Sequence, residues 1–210
     1  MSKFTPLAII FSVSGGTLGS YHYFPKQNNK EINSKLKTLF RDKYRFALLD
    51  TTENKDSSIW NKKWNFLKNK KPTHPKLKES VAKKSQESQS KKLHREACEE
   101  IYNSSIISTP YFLDFKYYCS KNNKDGIGRE WIDEKSKDWD TKIIQLKNAD
   151  RKGLQGSILE LWNKLKSDSK NTKLGQNKKE LQKWCDYFGS EIFFGKEVSD
   201  AKNAQQYCIK

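Results

Sequence analysis

Four cysteines stand at positions 98, 119, 185 and 208, in two pairs of nearly equal spacing. The members of the first pair are 21 residues apart and those of the second 23. In an antiparallel helical hairpin, residues equidistant from the turn face one another. The midpoint of the first pair falls beside Thr109-Pro110, and that of the second beside Gly195-Lys196. Both are helix-breaking dipeptides. The spacing therefore lets Cys98–Cys119 and Cys185–Cys208 each clamp a hairpin. A disulfide closing a loop of about 20 residues adds on the order of 3 kcal/mol by the chain-entropy model. Four cysteines admit three pairings, and four buried thiols would fit the same sequence.

The surroundings of these cysteines recur. Ile59-Trp60-Asn61-Lys62 matches Leu161-Trp162-Asn163-Lys164, Leu93 to Cys98 resembles Leu181 to Cys185, and Tyr118-Cys119-Ser120-Lys121 matches Tyr207-Cys208-Ile209-Lys210. Their shared order predicts two diverged helical repeats, residues 26–121 and 129–210, joined by a turn-rich linker at 122–128. The longer Trp-to-Cys interval of the first repeat coincides with a basic, low-complexity insertion at 68–92, read as a solvated helix or a flexible segment.

Apolar residues fall at helical spacing almost throughout, and nothing alternates with a period of two. The chain is expected to be all-α. A helix from Glu31 carries Ile32, Leu36, Leu39 and Phe40, and a second carries Ile59, Trp60, Trp64 and Leu67. Leu93, Ala97, Ile101 and Tyr102 mark a third. Thr109-Pro110 starts a fourth, with Phe112, Phe115 and Cys119. A long helix runs from Trp131 or Ile132 through Trp139 and Ile143 to Leu146. Ser157 caps a helix with Ile158, Leu161 and Leu165. Gly189 closes the helix of Leu181, Cys185 and Phe188, and Ser199 opens the last.

Residues 1–25 constrain location. From Phe4 to Pro25 there is no Asp, Glu, Lys or Arg. As a helix this stretch would reach about 33 Å, enough for a hydrocarbon layer of about 30 Å. Its apolar residues include Leu7, Ile9, Ile10, Phe11, Val13 and Leu18. Three readings fit: an uncleaved signal anchor with Tyr21, Tyr23 and Phe24 at the interface, a cleaved signal peptide, or a buried helix of a cytosolic domain. The first two place residues 26–210 beyond the cell membrane, extracellular or secreted, where the cysteines would pair.

Net charge is +16, and Lys3 alone contributes before residue 26. Lysine dominates; arginine occurs only at 41, 45, 95, 129 and 151. Bidentate reading of phosphate or guanine favours arginine, so the surplus is read first as a solvated face and second as non-specific attraction to anionic partners, nucleic acid among them. Aromatics at 12% are too many for a disordered chain.

No catalytic motif is present, and the chain is not expected to be an enzyme. His94 and Cys98 sit four apart, half of a zinc site without a second ligand pair, and no cofactor is implied. Asp125-Gly126 has Lys121 and Ile132 where a calcium loop needs acidic ligands. Gly195-Lys196-Glu197 lacks the rest of a phosphate-binding loop. Glu99-Glu100 and the set Asp133, Glu134, Asp138 and Asp140 are read as partners of nearby lysines.

Ala8-Ile9-Ile10 with Ser14-Gly15-Gly16, Leu48-Leu49-Asp50-Thr51 ahead of Trp60, and Trp184-Cys185 resemble the large paralogous families of uncharacterised proteins of the haemotropic mycoplasmas. The resemblance implies an exported or membrane-anchored protein displayed to a host, with adhesion or antigenic display as its role, and supplies no catalytic residues. A basic module binding nucleic acid or another polyanion is the alternative.

Overall fold

The computed structural model describes residues 38–210 other than 53, 54 and 169. The proposed membrane residues Leu7, Ile9, Ile10, Phe11, Val13 and Leu18, and the start of the helix expected from Glu31, lie outside the described residues. Among those described, the fold is all-α, with four isolated antiparallel bridges and no strand. The helices are α1 (Phe40–Lys43), α2 (Ser57–Leu67), α3 (Pro75–Ala82), α4 (Glu87–Tyr102) and α5 (Phe112–Asp114), which runs into a π-helical turn (Phe115–Cys119). Then come α6 (Asn123–Ile127), α7 (Asp138–Asn148), α8 (Gly156–Ser167), α9 (Leu174–Ser190) and α10 (Ser199–Tyr207).

Both clamps form as the spacing predicted. Cys98 on α4 is bonded to Cys119 at the end of the π-helical turn, and Cys185 on α9 to Cys208 just past α10. Each links a long helix to the shorter segment that folds back on it. Their Cα separations of 5.2 and 5.6 Å lie in the ordinary disulfide range.

The residue after each second half-cystine pairs with an extended segment far upstream. Ser120 bridges to Leu48, and Ile209 to Trp131. Lys121 N donates to Ala47 O at 2.7 Å, and Lys210 N to Glu130 O at 3.1 Å. One residue further on, the two sites differ. Ile132 N donates directly to Cys208 O. In the first half the Tyr102 hydroxyl intervenes, accepting from Leu49 N and donating to Cys119 O.

The tryptophans match in an unexpected phase. Trp60 Nε1 donates to Asp50 O, and Trp139 Nε1 to Asp133 O. Trp60, Trp64 and Leu67 are buried on α2, and Trp139, Ile143 and Leu146 on α7, with identical intervals. Trp162, which the sequence match paired with Trp60, instead donates to Ala149 O.

The low-complexity stretch 68–92 is largely helical and mostly exposed, but not fully solvated. It forms α3 and the first turn of α4, and Leu77, Ser80 and Ser90 are fully buried. Ser80 Oγ donates to Ser90 O, Ser90 Oγ donates to Ser80 O, and Trp64 Nε1 donates to Ser90 Oγ. Two small hydroxyls let α3 and α4 approach closely while the Ser80, Ser90 and Trp64 donors are all paired. Asp114 Oδ2 fixes the start of α3 by accepting from Thr73 N and His74 N.

Residues 122–128, read as a turn-rich linker, hold a short helix. Asn122 and Asp125 form a reciprocal capping box that starts α6, and Gly128, at φ +67°, ends it in the left-handed conformation. This helix is the seam between the halves. Asn123 N donates to Glu191 O, Phe193 N to Lys121 O, and Asn123 Nδ2 to Phe188 O. Gly126 faces Phe193 so closely that a Cβ would lie 2.2 Å from its ring. Gly189 does not terminate α9 but lies within it, against the Lys124 side chain. The helix expected from Trp131 begins only at Asp138, because Trp131 is held extended against Ile209. Nor does Pro110 open a helix; α5 begins at Phe112.

Candidate functional site

At the seam lies a groove of about 550 Å³. Its rings come from four separate segments: Tyr44 after α1, Phe112 on α5, Tyr187 on α9, and Phe194 in the loop before α10. Tyr44 is buried at the base. Phe112 and Phe194 both pack near it, with ring centroids 6.3 and 5.5 Å away and planes tilted by 49° and 57°. Both walls are about half exposed, at 40% and 46%. A partly exposed pocket walled by aromatics at a junction of two packed units is a favourable place for ligand binding.

Its polar side chains are Asn123, Gln155, Glu191, Ser199 and Asp200. Asn123 lies buried at the seam with its Nδ2 given to Phe188 O, and its Oδ1 has no hydrogen-bond partner among the described residues. Glu191 is engaged with Lys116, whose Nζ lies 2.7 Å from Oε1. Asp200, in the first turn of α10, lines the groove and has no ion pair among the described residues. No lysine or arginine among the described residues lines it, although the chain carries 41. Lys43 Nζ does lie 5.4 Å from the Tyr44 ring centroid.

A second cluster sits inside the first half. A ring nitrogen of His94 and the sulfurs of Cys98 and Cys119 lie within 4.8 Å of one another, all buried. Cys119 thus supplies a third group beside the pair noted in the sequence. The two sulfurs are bonded to each other, however, so neither offers a thiolate. His94 Nε2 lies 2.9 Å from Tyr118 O. A carbonyl can only accept, so this nitrogen carries the proton. Burial pushes the His94 pKa down to about 4, and the ring is neutral at pH 7. The cluster as it stands has a structural role.

The acidic groups read as lysine partners are partly so placed. Glu99 pairs with Arg41, Glu100 with Lys76, Asp140 with Lys178, and Asp133 with Lys210. The groove itself was not anticipated. Its rings are far apart in the chain, and the excess of aromatics was the only sequence trace of it. No described helix is long and apolar enough to cross a membrane. Comparison of the chain with protein-family models, curated proteins and solved structures finds no match.

Proposed function

We propose that this is a membrane-anchored, outward-facing binding module, held by its N-terminal segment and serving adhesion or antigenic display. The observation that carries the proposal is the pair of disulfides in a chain whose residues 4–25 are free of Asp, Glu, Lys and Arg. Disulfides persist where the surroundings are oxidising. Such a stretch is long enough to direct the chain there. The module has no catalytic step; its work is to present a surface. Surface protease treatment of intact cells tests this. Residues 38–210 are expected to be cleaved from outside, and full protection in unbroken cells overturns the proposal.

The same proposal takes the two halves as diverged copies of one unit. Supporting it are the matched clamps, the paired tails at Lys121 and Lys210, and the indole bonds of Trp60 and Trp139. In this phase α2 corresponds to α7, α3 to α8 and α4 to α9.

A basic polyanion-binding module is the competing role, favoured by the lysines along residues 68–92, Lys76, Lys83, Lys91 and Lys92 among them. Three of the four already face Glu96, Glu100, Glu79 or Glu87 across ion pairs. Polyanion affinity that falls steeply with salt would establish this role instead.

A further inference from the structure

We infer that the seam groove binds a quaternary ammonium group, with choline as the simplest member of the class. The inference names a ligand for the binding module proposed above and rests on that role for its biological setting. It starts from a contrast of charge. The chain carries an excess of 16 positive charges, yet no cation among the described residues lines this groove, and Asp200 stands in its wall without an ion pair. An anionic ligand would find no cationic side chain among the described residues there. A cation would find a carboxylate and the partly exposed rings of Phe112, Tyr187 and Phe194. Tyr44 is not counted among these rings, because it is buried and the Lys43 ammonium already lies 5.4 Å from its centroid.

The kind of cation follows from the lining, in which seven of twelve residues are aromatic or aliphatic. A primary ammonium brings three N–H donors and a strong hydration shell, and needs oxygens to replace the water it loses. Among the side-chain acceptors of the lining, Glu191 is occupied by Lys116 and Asn123 Oδ1 is buried, which leaves Asp200, Gln155 and Ser199. A quaternary ammonium brings no donor. Its charge is spread over methyl groups that pack on aromatic faces without requiring a hydrogen bond. The global positive charge opposes any cation, but at physiological salt it is screened beyond about 8 Å, so the lining decides.

The test uses the full chain in a maltoside detergent, which itself contains no ammonium. Choline chloride is titrated and followed by saturation-transfer NMR, beside 3,3-dimethyl-1-butanol, its neutral isostere. Choline is expected to saturate with a dissociation constant of about 1–10 mM, the range for a few cation–ring contacts, and to bind at least about tenfold tighter than the isostere. Phe194→Ser should weaken choline at least about fivefold by removing a wall. Asp200→Asn should also weaken it while leaving the melting temperature unchanged, since Asp200 is exposed and makes no ion pair among the described residues. Equal binding of choline and its isostere overturns the inference, as does choline binding indifferent to both substitutions. Phosphatidylcholine vesicles that displace bound choline identify a lipid headgroup as the source, and failure to displace it identifies a soluble one. Because binding is read on purified protein, protection from protease on cells would remove the proposed location and leave this result standing.

Discussion

Two buried polar side chains show how much of the first half depends on single atoms. The Tyr102 hydroxyl joins Leu49 N at 3.2 Å to Cys119 O at 2.5 Å, replacing the direct backbone bond that Ile132 and Cys208 make in the second half. Tyr102→Phe would leave both backbone groups buried and unpaired. A loss of about 1–3 kcal/mol in urea unfolding is expected. His94 contributes a pH dependence. Burial holds its folded pKa at about 4 against 6.5 for the free side chain. Between these values the unfolded chain binds the proton and the folded one does not. Stability is therefore full above about pH 6.5 and falls as pH drops towards 4, by about 3 kcal/mol. His74 is shifted downwards too, chiefly by burial, and adds in the same sense. Leu181 occupies the site four residues before Cys185, as His94 does before Cys98, so His94→Leu is the natural comparison. Unfolding midpoints measured from pH 7 to pH 4 should fall less steeply in that variant, and an unchanged slope would refute the assignment. Little of this was visible in the sequence. A histidine four residues before a cysteine signals a metal ligand or a packed ring equally well, and only Tyr118 O, brought up by the π-helical turn, decides between them.

At the scale of elements, helical spacing was legible wherever large apolar residues repeat, as in Trp60, Trp64 and Leu67. It failed where the buried face is small and polar. The stretch 68–92 buries Leu77, Ser80 and Ser90 beneath an abundance of lysine, so composition hid a packed hairpin. Leu77→Ala should cost about 2–5 kcal/mol, whereas Lys78→Ala, on the exposed side of α3, should change stability by less than about 0.5 kcal/mol. Equal effects in thermal melts would restore the solvated-segment view. The seam was misread for a different reason. Asn122 and Asp125 have the spacing of a capping box, yet among so many turn-forming residues they looked like a loop. Gly126→Ala weighs two opposed effects. Alanine favours the helix by up to about 1 kcal/mol. The added Cβ would meet the buried Phe193 ring, and overpacking of that kind costs about 1–3 kcal/mol. Packing should win, and the variant should melt at a lower temperature. The tryptophan match failed because four residues resemble one another at Trp60 and Trp162, while the bond that places the indole is repeated at Trp139.

For the whole molecule, the two clamps decide where the chain can remain folded. They close loops of 21 and 23 residues, and chain entropy separates such loops by less than about 0.1 kcal/mol. Each should contribute about 3 kcal/mol, and the two together about 6 kcal/mol. Domains of this kind are stable by only about 5–15 kcal/mol in total. Reduction therefore removes a large part of the margin, and the fold is suited to an oxidising exterior more than to a reducing interior. Replacing Cys98 and Cys119 by serine, or Cys185 and Cys208, should lower the urea midpoint by similar amounts. A gap well above the loop-entropy difference would report packing around His94 on one side and Leu181 on the other. Excess dithiol should lower the midpoint of the unsubstituted chain by about the sum of the two. If the fully reduced protein unfolds at the same urea concentration as the oxidised one, the clamps do not hold the fold, and the link from sulfur pairing to an outward location loses its physical basis.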